Sequence, residues 1–127
     1  MTVRVGVDLV DVRETEEAVA RYGDRYLERI YTPREVAACA GGTDARRLAA
    51  CFAAKEAVLK ALGVFDEPIA WRSIEVRLPS RDEQTSVELT GASARLMRGG
   101  AVRLSAEVGT TGRHALAIVL AENDAEW

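Results

Sequence analysis

The stretch ARRLAACFAAKEAVLKALG, residues 45–63, decides the fold of this chain. It is dominated by alanine, leucine, lysine and glutamate, which are strong helix formers. Asp44 can cap its N-terminus, and Gly63 supplies a C-terminal stop. Apolar residues form a broad stripe along it, namely Leu48, Ala49, Phe52, Ala53, Val58, Leu59 and Leu62. The pattern therefore predicts one long helix that is buried over much of its surface.

The segments before this helix predict a strand followed by short helices. Residues 3–9 alternate as in a half-buried strand, with one face formed by Val3, Val5, Val7 and Leu9 and the other by Arg4, Gly6 and Asp8. The apolar spacing is helical from Glu14 to about Ile30, and Gly23 leaves open a division into two short helices. Thr32-Pro33-Arg34-Glu35 has the pattern of a capping box. It predicts a further helix that ends at Gly41-Gly42.

The second half of the chain is mostly strands. Alternating or uniformly apolar runs predict strands around residues 74–78, 87–89, 102–108 and 116–120, and the last would be a central strand. Gly109-Thr110-Thr111-Gly112 predicts an antiparallel hairpin, and residues 92–98 predict a short helix. Helices cluster first and strands second, which favours an α+β fold with residues 1–127 as a single domain.

Composition excludes several classes of function. The net charge of -3 and the pI of about 5.3 give no basic surface for bulk nucleic-acid binding. No apolar run approaches the length that spans a membrane, and no signal peptide is visible, so we expect a cytoplasmic protein. Cys39 and Cys51 lack metal-ligand spacing and are expected to be two buried thiols.

Three charged residues are candidates for chemistry. Asp8 interrupts an apolar strand, where it is either a carboxylate on the solvent face of a sheet or a metal ligand. Glu56 and Lys60 are four residues apart on the long helix, which is the spacing of an ordinary surface ion pair. However, their neighbours are apolar, and a charged pair beside buried positions is costly unless it has a function or a partner. Spacing alone does not decide between these alternatives.

Three motifs resemble one protein family in the same order and spacing. CFAAKEAVLKALG, residues 51–63, resembles the signature helix of the holo-[acyl-carrier-protein] synthases, the small phosphopantetheinyl transferases. GVDLVDV, residues 6–12, resembles that family's other hallmark, and IYTPREVAAC, residues 30–39, resembles the segment between them. HALAIVLAE, residues 114–122, is more loosely similar to the last strand. The resemblance implies a phosphopantetheinyl transferase fold, with an antiparallel sheet packed against the long helix.

The resemblance also implies a reaction. Family members transfer the 4'-phosphopantetheine arm of coenzyme A to a serine of an acyl carrier protein and release 3',5'-ADP. Asp8 and Glu56 match acidic residues that bind Mg²⁺ with the coenzyme A diphosphate, which suits a hard cation. Glu56, or a metal-bound water that it holds, would accept the proton of the serine, and Lys60 would hold a phosphate oxygen or steady Glu56. Arg46 and Arg47 are candidates for the 3'-phosphate of coenzyme A, and Gly63 and Lys60 are also placed at the coenzyme A site.

The family implies partners as well. Members of this size are usually homotrimers with each active site at a seam between two subunits. An acidic carrier protein would dock on a basic helix, and Arg21, Arg25 and Arg29 follow at helical spacing with Arg13 just before them. The alternative is a solvated helix face, whose positive charges are compensated by Glu14, Glu16, Glu17 and Glu28.

The sequence departs from the family at two positions. Cys51 replaces a common arginine, and Ala106 falls in the place of a histidine that approaches the coenzyme A phosphates. His114 lies beyond the following loop, where it either folds back to the phosphates or has a structural role. An alternative hypothesis is therefore a weakened or non-catalytic relative that binds coenzyme A or a carrier protein without transfer.

Overall fold

The structure, a computed structural model, describes residues 1–79 and 84–127. Strand β1 (Thr2–Asp11) leads into helices α1 (Val12–Tyr22), α2 (Asp24–Ile30), α3 (Pro33–Ala38) and α4 (Ala45–Leu62). Strands β2 (Ile74–Arg77), β3 (Ser86–Leu89), β4 (Val102–Thr110) and β5 (His114–Asn123) follow. Short 3₁₀ segments lie at Ala40–Gly42, Trp71–Ser73 and Gly91–Gly100. The predicted α+β class and the long helix are confirmed.

The strands form two antiparallel sheets in the described part of the chain. The larger has the order β1-β5-β4, so β5 is central as predicted, and β4 and β5 form the predicted hairpin. The smaller pairs β2 with β3, and a bridge between Thr85 and Ala106 connects its edge to β4. The residues predicted as a short helix at 92–98 belong to the 3₁₀ segment, in which Arg98 and Gly99 have positive φ angles.

Local signals set the helix ends. Thr32 and Glu35 form the predicted capping box, and the Asp44 carboxylate accepts from the Arg47 N–H to cap α4. Gly63 ends α4 in the left-handed conformation. Helix α3 stops at Ala38, before the predicted Gly41-Gly42, because the chain turns there through the 3₁₀ segment.

Helix α4 packs closely on β1 and β5 because β1 carries a glycine at the crossing. A Cβ added at Gly6 would lie 1.9 Å from the Ala57 carbonyl oxygen and 2.7 Å from the Ala61 nitrogen. Only glycine permits this approach of two backbones. The contact sets the distance between the residues of β1 and those of α4.

The two faces of β1 are used in opposite ways. The side bearing Gly6 faces α4, and the Asp8 side chain, two residues along on that side, is only 15 % exposed. The alternative that placed Asp8 on a solvent-exposed sheet face is therefore wrong. The other side of the sheet is apolar but uncovered, and its exposed residues on β1 and β5 are Val3, Val5, Val7, Leu9, Leu116, Ile118 and Leu120. Cys39 and Cys51 are buried free thiols, as predicted.

Candidate active site

Asp8 and Lys60 meet across the contact between β1 and α4. The Lys60 ammonium donates to Asp8 Oδ1 at 2.8 Å and to the Val7 carbonyl oxygen at 3.1 Å. An ammonium group has three N–H donors, so these two bonds leave one donor among the described residues. The Lys60 side chain is 44 % exposed, and this donor can therefore reach a ligand.

Glu56 lies one helical turn before Lys60 and belongs to the same cluster. Burial raises the pKa of its carboxyl group, the nearby charge of Asp8 raises it further, and Lys60 partly offsets both. Two carboxylates thus share a half-buried site with one ammonium group. A cation would relieve their mutual repulsion.

The carboxylate pair fits a magnesium ion that obtains its remaining ligands elsewhere. Magnesium is usually held by one or two carboxylates, with water and substrate phosphate oxygens completing its coordination. The described residues contain no group of three or more histidine, cysteine, aspartate or glutamate side chains that would form an all-protein metal site. Asp8 and Glu56 are the residues that would hold the ion.

Of the residues predicted to hold coenzyme A, the two arginines lie at the start of α4 and Gly63 lies at its end. Arg46 is exposed at the start of α4, and its guanidinium lies beside Gly112 of the hairpin loop. Arg47 instead donates to the Ala38 carbonyl oxygen at 3.1 Å, which ties α4 to the end of α3. Gly63 caps α4, and a Cβ there would be 3.1 Å from the guanidinium of Arg4. Of the two predicted arginines, Arg46 is the more exposed, and Arg47 is held at its Nε–H by the Ala38 carbonyl.

The strand pairing places Ala106 and His114 at different positions along the length of the sheet. Ala106 pairs with Val119, which pairs with Gly6, whereas the β4 residue level with Asp8 is Val108. Ala106 is thus two residues from the level of the carboxylate. His114 pairs with Asp11 at the end of β1.

Cys51 also lies away from the Asp8 and Glu56 carboxylates. Its thiol is buried and donates to Glu35 Oε2 at 3.2 Å on the side of α4 that faces α3. The Cys51 side chain therefore belongs to the core contact between α3 and α4.

A groove of about 550 Å³ opens between the short helices and α4. Its lining combines aromatic rings with two arginines, and the residues are Ala18, Tyr22, Arg25, Tyr26, Arg29, Ile30, Phe52 and Trp71. Gly23, with φ 54° and ψ −131°, separates α1 from α2, so Arg21 does not continue the face of Arg25 and Arg29. The prediction of one continuous face bearing three arginines is wrong. All four predicted arginines, Arg13 included, are exposed.

Sequence reasoning missed a charged pair in the core. Lys55, which precedes Glu56, is fully buried and bonds to Glu35 at 2.7 Å. Burial of position 55 on α4 was visible from the apolar neighbours, but its partner is 20 residues away in sequence.

Comparison with known proteins decides the family. A family model described as the 4'-phosphopantetheinyl transferase superfamily matches residues 4–119. The chain belongs to this superfamily. The resemblance seen in the three motifs is confirmed, and so is the prediction of an enzyme of this kind.

Individual transferases resemble the chain over most of its length. A holo-[acyl-carrier-protein] synthase of Roseiflexus sp. is 44 % identical over 100 residues, which are 73 % of this chain and 70 % of that protein. One from Koribacter versatilis is 36 % identical over 126 residues, covering 97 % and 100 %. The structure of a Chronobacterium ammoniagenes ACPS-CoA complex superimposes with a TM-score of 0.80 at 29 % identity, covering 97 % of this chain and 98 % of that one.

Proposed function

We propose that this chain transfers the 4'-phosphopantetheine group of coenzyme A to a serine of an acyl carrier protein, depends on Mg²⁺ and releases 3',5'-ADP. Residues 1–127 would act as one domain. The observation that carries the proposal is the cluster of Asp8, Glu56 and Lys60, formed where β1 and α4 cross. Family membership, relatives named as synthases and a structural neighbour that holds coenzyme A support it.

Each residue of the cluster has its own role in the proposed reaction. Asp8 and Glu56 would hold the magnesium ion, which when bound neutralises charge that develops on the diphosphate leaving group. Glu56 would accept the proton of the carrier serine. Burial and the charge of Asp8 raise the pKa of Glu56 in the metal-free protein, which a bound cation would offset. Lys60 keeps Asp8 in place with one N–H and offers its remaining donor to a phosphate oxygen.

Coenzyme A would extend from this cluster toward the start of α4. Arg46 stands exposed beside the hairpin loop and suits the 3'-phosphate. Gly63 and the adjacent Arg4 lie at the opposite end of α4. Arg47 contributes to the same region indirectly, because its bond to Ala38 fixes the entry into α4.

The carrier protein would dock at the groove between α2 and α4. Arg25 and Arg29 supply positive charge for an acidic partner, and the aromatic rings supply apolar contact area. Arg13 and Arg21 are exposed on α1 and extend the positive surface.

The uncovered apolar face of the sheet supports an oligomer. Apolar patches that extend over neighbouring strands mark protein interfaces, and this one occupies the outer face of β1 and β5. We propose that it is the seam of a homotrimer that works in the cytoplasm. No helix among the described residues is long and apolar enough to cross a membrane.

The non-catalytic alternative is motivated by Cys51 and Ala106. Cys51 bonds to Glu35 in the core and Ala106 sits level with Gly6, and the transfer assay distinguishes this alternative from transfer.

The test is transfer itself. The protein is incubated with coenzyme A, Mg²⁺ and several apo carrier proteins, and the carriers are weighed by mass spectrometry. We expect a gain of one phosphopantetheine group that disappears with EDTA and in Glu56→Gln. Glu88→Gln, an exposed glutamate on β3, is the matched control and should keep full activity. No mass gain on any carrier would refute the proposal, and binding of coenzyme A without transfer would favour the alternative.

A further inference from the structure

The buried ion pair of Lys55 and Glu35 has no part in the chemistry described so far. The Lys55 side chain is 0 % exposed and that of Glu35 is 1 % exposed, and the Lys55 ammonium lies 2.7 Å from Glu35 Oε1. Removing two charges from water is expensive, and apolar residues of similar volume are often as stable or more so. The pair therefore calls for a reason other than stability.

Every hydrogen-bonding group of the pair is used. Lys55 donates to the Ile30 carbonyl oxygen at 2.7 Å, to the Trp71 carbonyl oxygen at 2.9 Å and to Glu35. Glu35 in turn accepts from the backbone N–H groups of Thr32 and Val76, each at 2.7 Å, and from the Cys51 thiol. One lysine thus connects three segments of the chain that are far apart in sequence.

The partners of Lys55 are the walls of the groove. Ile30 is the last residue of α2, which carries Arg25 and Arg29 into the groove. Trp71 forms a second wall of the groove, and its ring packs on Phe52 of α4, with ring centroids 5.2 Å apart. Lys55 lies on α4 between Phe52 and the catalytic Glu56, and it holds both walls by their backbone carbonyls.

We propose that Lys55 is a positioning residue: it fixes the two walls of the docking groove relative to Glu56, so that a docked carrier presents its serine to the carboxylate. This inference rests on the proposed function. The ammonium is suited to the task because three N–H donors radiate from one atom, which an apolar side chain of the same length cannot reproduce.

The decisive experiment measures KM for the apo carrier and KM for coenzyme A in Lys55→Met and in the double variant Lys55→Met/Glu35→Gln. The double variant removes both charges, so no unpaired carboxylate stays in the core. We expect KM for the apo carrier to rise about tenfold or more in the folded variants, as when one interface contact is lost. KM for coenzyme A should stay within about twofold of the parent value.

Val58→Ala is the matched control, since Val58 is a fully buried residue of the same helix that lies outside the groove lining. It should lower stability and leave carrier KM unchanged. Equal losses toward both substrates in Lys55→Met, or an unchanged carrier KM, would overturn the proposal.

A second readout needs no transfer activity. In a Trp127→Phe background, Trp71 is the remaining tryptophan, because the chain has two. Lys55→Met should shift Trp71 emission to longer wavelength and increase its quenching by acrylamide, whereas Val58→Ala should not. A wild-type protein without transfer on any carrier would thus refute the proposed function and leave this test of Lys55 intact. Unchanged Trp71 fluorescence would refute the positioning role.

If neither Lys55 variant folds, the wild-type protein decides. The ¹⁵N resonance of the buried Lys55 ammonium should shift on addition of apo carrier together with the Trp71 indole, and addition of coenzyme A alone should leave both in place. A Lys55 resonance that ignores the carrier would overturn the proposal.

Discussion

Replacing Gly6 by alanine should damage stability and activity together. The added Cβ would lie 1.9 Å from the Ala57 carbonyl oxygen, and ordinary contact begins near 3.4 Å. Strand β1 and helix α4 must therefore separate by about 1.5 Å, because the obstacle is backbone on both sides and no side chain can rotate away. Such a shift would stretch the 2.8 Å bond between Lys60 and Asp8 beyond hydrogen-bonding range.

The expected cost is about 3 kcal/mol, at the upper end for overpacking a core. For a chain of this size it corresponds to a fall in Tm of about 10 °C. Differential scanning calorimetry measures the Tm, and carrier modification at a temperature where the variant is folded measures the activity.

Gly109→Ala on β4 is the control, because a Cβ there meets nothing within 4 Å. It should change neither quantity. A Gly6→Ala protein with an unchanged Tm, or with full activity when folded, would refute the close-approach argument.

Three further predictions concern the cluster and the sheet face. Lys60→Met should lower kcat/KM by about 10²-fold, as expected for one lost charge-assisted contact, with the Tm little changed; a drop below threefold would contradict its role. In the metal-free protein, NMR titration should give Glu56 a pKa above the ordinary value, and Asp8→Asn should lower that pKa because a neighbouring negative charge is removed; a rise would contradict the arrangement. Ile118→Glu places a charge on the uncovered face of the sheet, and light scattering should show the proposed trimer dissociating, whereas Glu88→Gln on β3 of the smaller sheet should leave it intact.

Local sequence predicted the helix ends and turns, which depend on residues that are neighbours in the chain. The capping box of Thr32 and Glu35, the Asp44 cap and the Gly63 stop act over a few residues, so the ends of α4 could be read directly. The glycine-rich turn before β5 likewise predicted the hairpin. The motifs around Asp8 and Glu56 named the residues of the cluster, because the family resemblance supplied what spacing alone left open.

Contacts between residues that are far apart in sequence could not be predicted from these local patterns. The apolar neighbours of Lys55 indicated its burial but not its partner, because Glu35 stands on another helix and only packing brings the two together. The register of β4 against β5, which sets Ala106 level with Gly6, likewise depends on pairing between strands and not on local sequence.

The sequence by itself determined that β1 alternates, that α4 is one long helix and that Asp8, Glu56 and Lys60 belong to one motif set. Only the tertiary structure decided which face of β1 turns inward. The alternation shows which residues share a face of β1 but not which face packs on the helix, and the apolar face would ordinarily be expected to face the core. Here Gly6 lets the backbone of α4 approach the opposite face, so Asp8 comes within 2.8 Å of Lys60 and the apolar face is left for a partner.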